Sequence, residues 1–103
     1  MTENGKLLTS ADGTHIWASC AGDPSKPAVV FIHGLCSNTL VWDEQFSDPE
    51  LLKNLHMVRF DTRGHGRSGM VEDAAAFESA RYAEDFKAVY DEFGLNKPII
   101  VGW

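Results

Sequence analysis

Ala28-Val29-Val30-Phe31-Ile32 is a continuously apolar, largely β-branched run set between Pro27 and His33-Gly34. A strand with one wet face alternates apolar and polar side chains, and this run does not alternate. Such a segment belongs to a strand covered on both faces, the condition of a parallel sheet sandwiched by helices. That reading makes the chain an α/β protein, and the segments on either side agree with it.

Upstream, Lys6 to Ser10 is a short strand candidate closed by Ala11-Asp12-Gly13, and Asp-Gly is a strong hairpin signal. Thr14 to Cys20 partly alternates, as a half-buried strand does, so the two predict an antiparallel hairpin at a sheet edge. Ala21 to Pro27, with Gly22, Pro24 and Pro27, reads as a loop.

Downstream, His33-Gly34-Leu35-Cys36-Ser37-Asn38 ends the apolar run, and Ser37 or Asn38 can cap the next helix. Leu40, Val41, Trp42 and Phe46 suit a short amphipathic helix. Asp48-Pro49 is a cap-then-proline entry to another, carrying Leu51, Leu52 and Leu55. Met57 to Phe60 is the next strand, and Asp61-Thr62-Arg63-Gly64-His65-Gly66-Arg67-Ser68-Gly69 is a glycine-rich loop. Met70 to Glu78 is acidic and alanine-rich without a period. From Ser79 a helical stripe of Tyr82, Phe86, Val89 and Phe93 reads as core, and Gly94 closes it. Ile99-Ile100-Val101-Gly102-Trp103 is a buried strand entering a Gly-x turn. In the pattern G-x-S-x-G a strand delivers a serine onto a sharp turn, and Gly102 and Trp103 match its first two letters. Strands alternating with helices after the hairpin imply right-handed crossovers and a parallel sheet.

At 103 residues there is room for one domain. The net charge of −6 leaves no basic footprint for nucleic acid. No apolar run is long enough to span a membrane, and the N-terminus lacks the apolar core of a signal peptide. Cys20 and Cys36 read as free thiols in a reducing compartment, which makes a cytoplasmic location the expectation. His15 and His56 lack partners at metal-ligand spacing, so no metal site is expected. Gly64-His65-Gly66 lacks the lysine and hydroxyl of a phosphate-binding loop.

Taken in order, Val30-Phe31-Ile32-His33-Gly34, then Asp61 to Ser68, then Val101-Gly102-Trp103 resemble the α/β-hydrolase fold family, most closely its serine-esterase-like members. The resemblance implies that residues 1–103 are the N-terminal, partial domain of a larger sheet, reaching to the start of the nucleophile elbow. It implies that His33, Gly34 and Leu35 form the oxyanion-hole loop, with the Leu35 N–H as donor and Trp42 beneath it. The nucleophile, acid and base would lie beyond Trp103, leaving this chain inactive alone. The expected activity of an intact parent is cofactor-free hydrolysis of a small-molecule ester through a serine acyl-enzyme. An epoxide-hydrolase or dehalogenase-type parent would carry aspartate in place of serine. The proline that epoxide hydrolases usually place soon after His-Gly is absent from Leu35-Cys36-Ser37-Asn38. A short non-enzymatic binding protein is the third expectation.

Asp61, His65 and Ser68 tempt a triad reading, but in this fold the acid and histidine follow the elbow. Asp61, Arg63, Gly64, His65, Gly66 and Ser68 are therefore expected to build a structural turn, with Asp61 and Arg63 bonding its backbone. Cys36 has no evident base. The last strand is expected to sit in the sheet interior of the parent, so alone it would offer an edge for self-association.

Overall fold

The structure is a computed structural model and describes residues 3–70 and 74–103. β1 (Asn4–Thr9) and β2 (His15–Gly22) form the expected hairpin, with Thr9 opposite His15 and Asn4 opposite Cys20. The Ser10 N–H donates to the Thr14 carbonyl at 2.8 Å and the Gly13 N–H to the Ser10 carbonyl at 2.9 Å, closing the turn. β2 continues through Ala21 and Gly22, which the sequence places in a loop. Its extension is held by a second ladder, in which Ala18 pairs with Phe60 and Gly22 with His56.

β3 (Ala28–Ile32) has the predicted bounds, followed by a 3-10 turn at Thr39–Trp42, α1 (Asp43–Ser47) and α2 (Pro49–Asn54). β4 (His56–Phe60) leads to a second 3-10 turn at Ala74–Phe77, then α3 (Ser79–Glu92) and β5 (Ile99–Gly102). Residues 71–73, part of the stretch without a period, lie outside the described residues. The strand order is β1-β2-β4-β3-β5. The hairpin pairs antiparallel onto β4, whereas β4, β3 and β5 run parallel.

Local chemistry sets the helix ends. The Asp48 carboxylate accepts the Glu50 and Leu51 amides at 2.9 and 3.2 Å, with Pro49 in the first turn of α2. α3 ends with Gly94 at φ +60°, the Leu95 N–H reaching the Tyr90 carbonyl at 3.1 Å and the Gly94 N–H that of Asp91 at 3.3 Å. That pair of bonds is a Schellman closure.

β3 and β4 are covered on both faces, which explains the unbroken apolar run of β3. β5, expected to be buried, leaves Ile99 and Ile100 exposed, because among the described residues it pairs only with β3 and no helix packs over those two side chains. Val30, Val58, Phe60, Ile16 and Ala18 pack with Val89 of α3 and with Leu95. Val29, Phe31, Met57 and Ala21 pack with Phe46 on the opposite face, joined by Trp42, Leu51, Leu52 and Leu55. Complete burial of Ile16, Val30, Met57 and Val58 contributes about 1.5–3 kcal/mol for each side chain. The helical stripe is core only in part. Val89 is fully buried and Phe86 and Phe93 pack onto the cluster, but Tyr82 is exposed and lies against Phe77.

Candidate functional site

Because β4, β3 and β5 are parallel, their C-terminal ends open onto the same side. Ile32 pairs with Phe60 on one edge and with Gly102 on the other. The His33 loop, the Asp61–Gly69 loop and the Gly102-Trp103 turn therefore stand side by side, where open α/β sheets place their ligand crevices.

The first and third touch. The Trp103 N–H donates to the Ile32 carbonyl at 3.1 Å. A Cβ built on Gly34 would stand 2.7 Å from Cε3 of the Trp103 ring and 3.0 Å from the Trp103 carbonyl oxygen. A side chain at this position would have to push the Trp103 ring aside and would crowd its carbonyl, and glycine avoids both. Trp42, expected beneath this loop, has its ring against Phe31 at 5.1 Å between centroids. The ring that closes on Gly34 belongs to Trp103. Leu35 is 84% exposed. Its N–H donates to no acceptor among the described residues.

His33 is buried, with Nδ1 2.8 Å from the Gly34 carbonyl and Nε2 accepting the Thr62 N–H at 3.0 Å. His65 accepts the Cys36 N–H on Nε2 at 2.9 Å, and its Nδ1 lies 3.0 Å from the Arg63 carbonyl. Neither ring has a nitrogen left for proton transfer. Cys36, at φ +61°, thus finds the Nε2 of His65 engaged by its own amide rather than by its thiol. Burial pushes the Cys20 thiol up, away from thiolate chemistry.

The second loop is built on Asp61, which is 1% exposed. Its carboxylate accepts the Thr39 amide at 2.8 Å and the Arg67 amide at 2.9 Å. Gly66, at φ +51°, lies so close to this carboxylate that a Cβ would stand 2.4 Å from its Cγ. The Ser68 hydroxyl donates to the Asp61 carbonyl and accepts the Trp17 N–H at 2.9 Å. The Gly64 N–H closes the loop on the Gly69 carbonyl at 2.9 Å. Asp61, His65 and Ser68 thus each bond backbone, and the structure does not assemble them as a triad.

Arg63 departs from the expected bonding to its own loop. Its fully buried guanidinium instead meets Asp85 of α3, Asp12 of the hairpin turn and the Ala76 carbonyl. The bond to Asp85 raises the Arg63 pKa against the cost of burial, with Asp12 adding to the rise. Asp12 is held well below the usual carboxylate range, chiefly by Arg63 and then by the Thr14 amide. Sequence reading missed Asp85, whose helical position alone does not reveal a partner in a distant loop. It also missed the cage around Arg59, whose guanidinium bonds Glu3, Asp43 and the Thr39 carbonyl and lies 4.2 Å from the centroid of the Phe46 ring. A cavity of about 540 Å³ beside Arg59 is lined by Glu3, Trp17, Thr39, Asp43 and Arg67, and not by the residues around Trp103. Among the described residues no group of three metal-ligating side chains occurs, and no helix is long and apolar enough to cross a membrane.

Known proteins resemble this chain over nearly its whole length. The Mycobacterium tuberculosis protein named probable oxidoreductase EphD is 35% identical over 96 residues, covering 93% of this chain and 16% of that protein. A Burkholderia cenocepacia structure assigned as an aryl esterase superposes with a TM-score of 0.91 at 35% identity, covering 97% of this chain and 37% of its own. Epoxide hydrolase A from Mycobacterium thermoresistibile superposes with a TM-score of 0.84 at 26% identity, over 98% of this chain and 31% of its own. The chain thus spans between about a sixth and about a third of the length of these relatives, matching the N-terminal part of their fold. The family model for the alpha/beta hydrolase fold matches residues 27–103, and the chain belongs to that family.

Proposed function

We propose that this chain carries the oxyanion loop and the start of the nucleophile elbow of an ester hydrolase, the serine following Trp103 in a longer polypeptide. The observation that carries the reading is the contact of Gly34 with Trp103, next to a Leu35 amide without an acceptor among the described residues. In such an enzyme the serine oxygen adds to the ester carbonyl while its proton passes to a histidine. The carbonyl oxygen becomes negative, and a fixed amide such as Leu35 N–H stabilises it without reorganisation. Collapse expels the alcohol, which takes the proton from the histidine, and water then releases the acid by the same steps.

In this reading His33, Asp61, Arg63, Gly64, His65, Gly66 and Ser68 support the loops and take no part in bond making. Residues 1–103 form part of one larger domain, a reading supported by the small share of each relative that the chain spans. The likeness to an aryl esterase supports a small-molecule acyl substrate. The chemistry calls for no cofactor. Two unpaired cysteines support a reducing, cytoplasmic setting.

A second reading, an aspartate nucleophile opening an epoxide, is favoured by the likeness to epoxide hydrolase A. The missing proline after Gly34 counts against it. The test is hydrolysis of p-nitrophenyl acetate by the 103-residue chain and by the longest natural polypeptide containing it. The expected result is no turnover above buffer for the first and turnover for the second, abolished when the residue after Trp103 becomes alanine. Enzyme-like turnover by the short chain, unchanged in Cys36→Ser, overturns the reading. So does full turnover with alanine after Trp103. Aspartate at that position, with epoxide opening, establishes the second reading.

A further inference from the structure

We propose that His33 and His65 form a reciprocal clasp, both as neutral Nδ1–H imidazoles, and that this clasp aims the Leu35 amide. The second half of the proposal rests on the oxyanion reading above, but the clasp itself does not.

A peptide N–H only donates and a carbonyl only accepts, so the partners determine where each ring carries its proton. His33 Nε2 accepts the Thr62 N–H at 3.0 Å, so its proton sits on Nδ1, 2.8 Å from the Gly34 carbonyl. His65 Nε2 accepts the Cys36 N–H at 2.9 Å, so its proton also sits on Nδ1, within 3.0 Å of the Arg63 carbonyl and 3.1 Å of the Thr62 hydroxyl. The bonds cross. The histidine of the loop after β3 holds an amide of the loop after β4, and the histidine of the loop after β4 holds an amide of the loop after β3. The rings lie 5.2 Å apart between centroids, tilted by 56°.

The consequence for Leu35 follows from peptide planarity. Its N–H shares a plane with the Gly34 carbonyl and, in a trans peptide, points the opposite way. His33 Nδ1–H and the Ser37 N–H, the latter at 3.2 Å, both bond that carbonyl. Fixing the carbonyl therefore fixes the amide on its far side. His65 fixes the next peptide plane through the Cys36 N–H. Leu35 is held by a histidine on each flank, although its own side chain is exposed.

An imidazolium has no acceptor, so protonating either ring removes a strut. The titratable groups beside the pair are each other, the Cys36 thiol and Asp61. The Asp61 carboxylate is taken by the Thr39 and Arg67 amides, and the Arg63 guanidinium is turned to Asp85 and Asp12.

The test uses the ¹⁵N-labelled chain at about pH 8, where an ordinary histidine is neutral. Long-range proton–nitrogen spectra of the rings, assigned with His33→Gln and His65→Gln, are expected to show Nδ1–H for both. Amide exchange is expected to quicken roughly tenfold at Cys36 in His65→Ala and at Thr62 in His33→Ala, as each loses its acceptor. His65→Gln, whose side-chain oxygen stands near the place of Nε2, is expected to restore Cys36 protection. An Nε2–H tautomer at either ring, or unchanged Cys36 exchange in His65→Ala, overturns the clasp. Where an alanine variant loses its near-UV circular dichroism, the tautomers of the unaltered chain decide alone. None of these readouts uses a substrate, so failure of the clasp and failure of the hydrolase reading are separate results.

Discussion

The Arg63 guanidinium grips the Asp85 carboxylate with two parallel bonds, Nε to Oδ2 at 2.8 Å and Nη2 to Oδ1 at 2.6 Å. Both residues are buried, at 0% and 1% exposure, and the same guanidinium reaches Asp12 and the Ala76 carbonyl. One side chain thus ties the loop after β4 to α3, to the hairpin turn and to the second 3-10 turn. Arg63→Ala strands a buried carboxylate and is expected to lower unfolding free energy by about 3–5 kcal/mol, a large part of the usual 5–15. Arg63→Lys is expected to recover little, because an ammonium cannot reproduce the planar fork. Urea titration measures both, and a loss below about 0.5 kcal/mol in Arg63→Ala would mean that the pair adds nothing.

Acid should loosen the same knot through Asp12. Its folded pKa is lowered, so its contribution to stability is full above the ordinary aspartate range near 4 and disappears as pH falls below it. Asp12→Asn is expected to melt at a lower temperature than the unaltered chain at neutral pH, with the gap narrowing between about pH 5 and pH 2. Melting curves across that range check it. Parallel curves would show that Asp12 titrates alike in the folded and unfolded chains.

Gly34→Ala places a methyl group 2.7 Å from the Trp103 ring and 3.0 Å from its carbonyl oxygen. The ring can swing away, because Trp103 is 73% exposed, but the carbonyl belongs to the backbone. The bond from Trp103 N–H to Ile32 is therefore expected to open, with faster exchange of that amide and little change at Val30 or Val58. Unchanged exchange at Trp103 would mean that the turn absorbs the methyl.

β5 pairs with β3 along one side only, and Ile99 and Ile100 are 60% and 54% exposed. An apolar strand with an unpaired row of amides and carbonyls is a template for another chain. The 103-residue chain is expected to associate with rising concentration, and Ile100→Lys to reduce this. Size exclusion with light scattering measures both. A monodisperse monomer with protected amides from Ile99 to Val101 would refute it.

What sequence makes legible here is what near neighbours decide. The unbroken run of β3, the Asp48-Pro49 entry to α2, the start of α3 at Ser79 and its end at Gly94 all follow from a few adjacent side chains. The three motifs at the strand ends were visible for the same reason. What was hidden depends on residues far apart in the chain. β2 runs long because β4 lies beside it, and Asp85 is buried because Arg63 reaches it across the fold. The crossing of His33 and His65 needs the parallel register of β3 and β4, which no local pattern reveals.

The strand order also says something about birth. β3 leaves the ribosome before both of its sheet neighbours, since β4 and β5 are encoded later than the strand they enclose. Until β4 arrives the nascent chain holds a wholly apolar strand with two open sides, and until β5 arrives it holds one. The pairing of Val30 with Ile100 joins residues far apart in the chain and carries the entropic cost of a long loop. The hairpin of β1 and β2 can form at once, but it gains its second partner only when β4 emerges. The centre of this sheet therefore waits for strands made after it, and β3 is most open to chaperones and to misassociation in the interval between its own synthesis and that of β4.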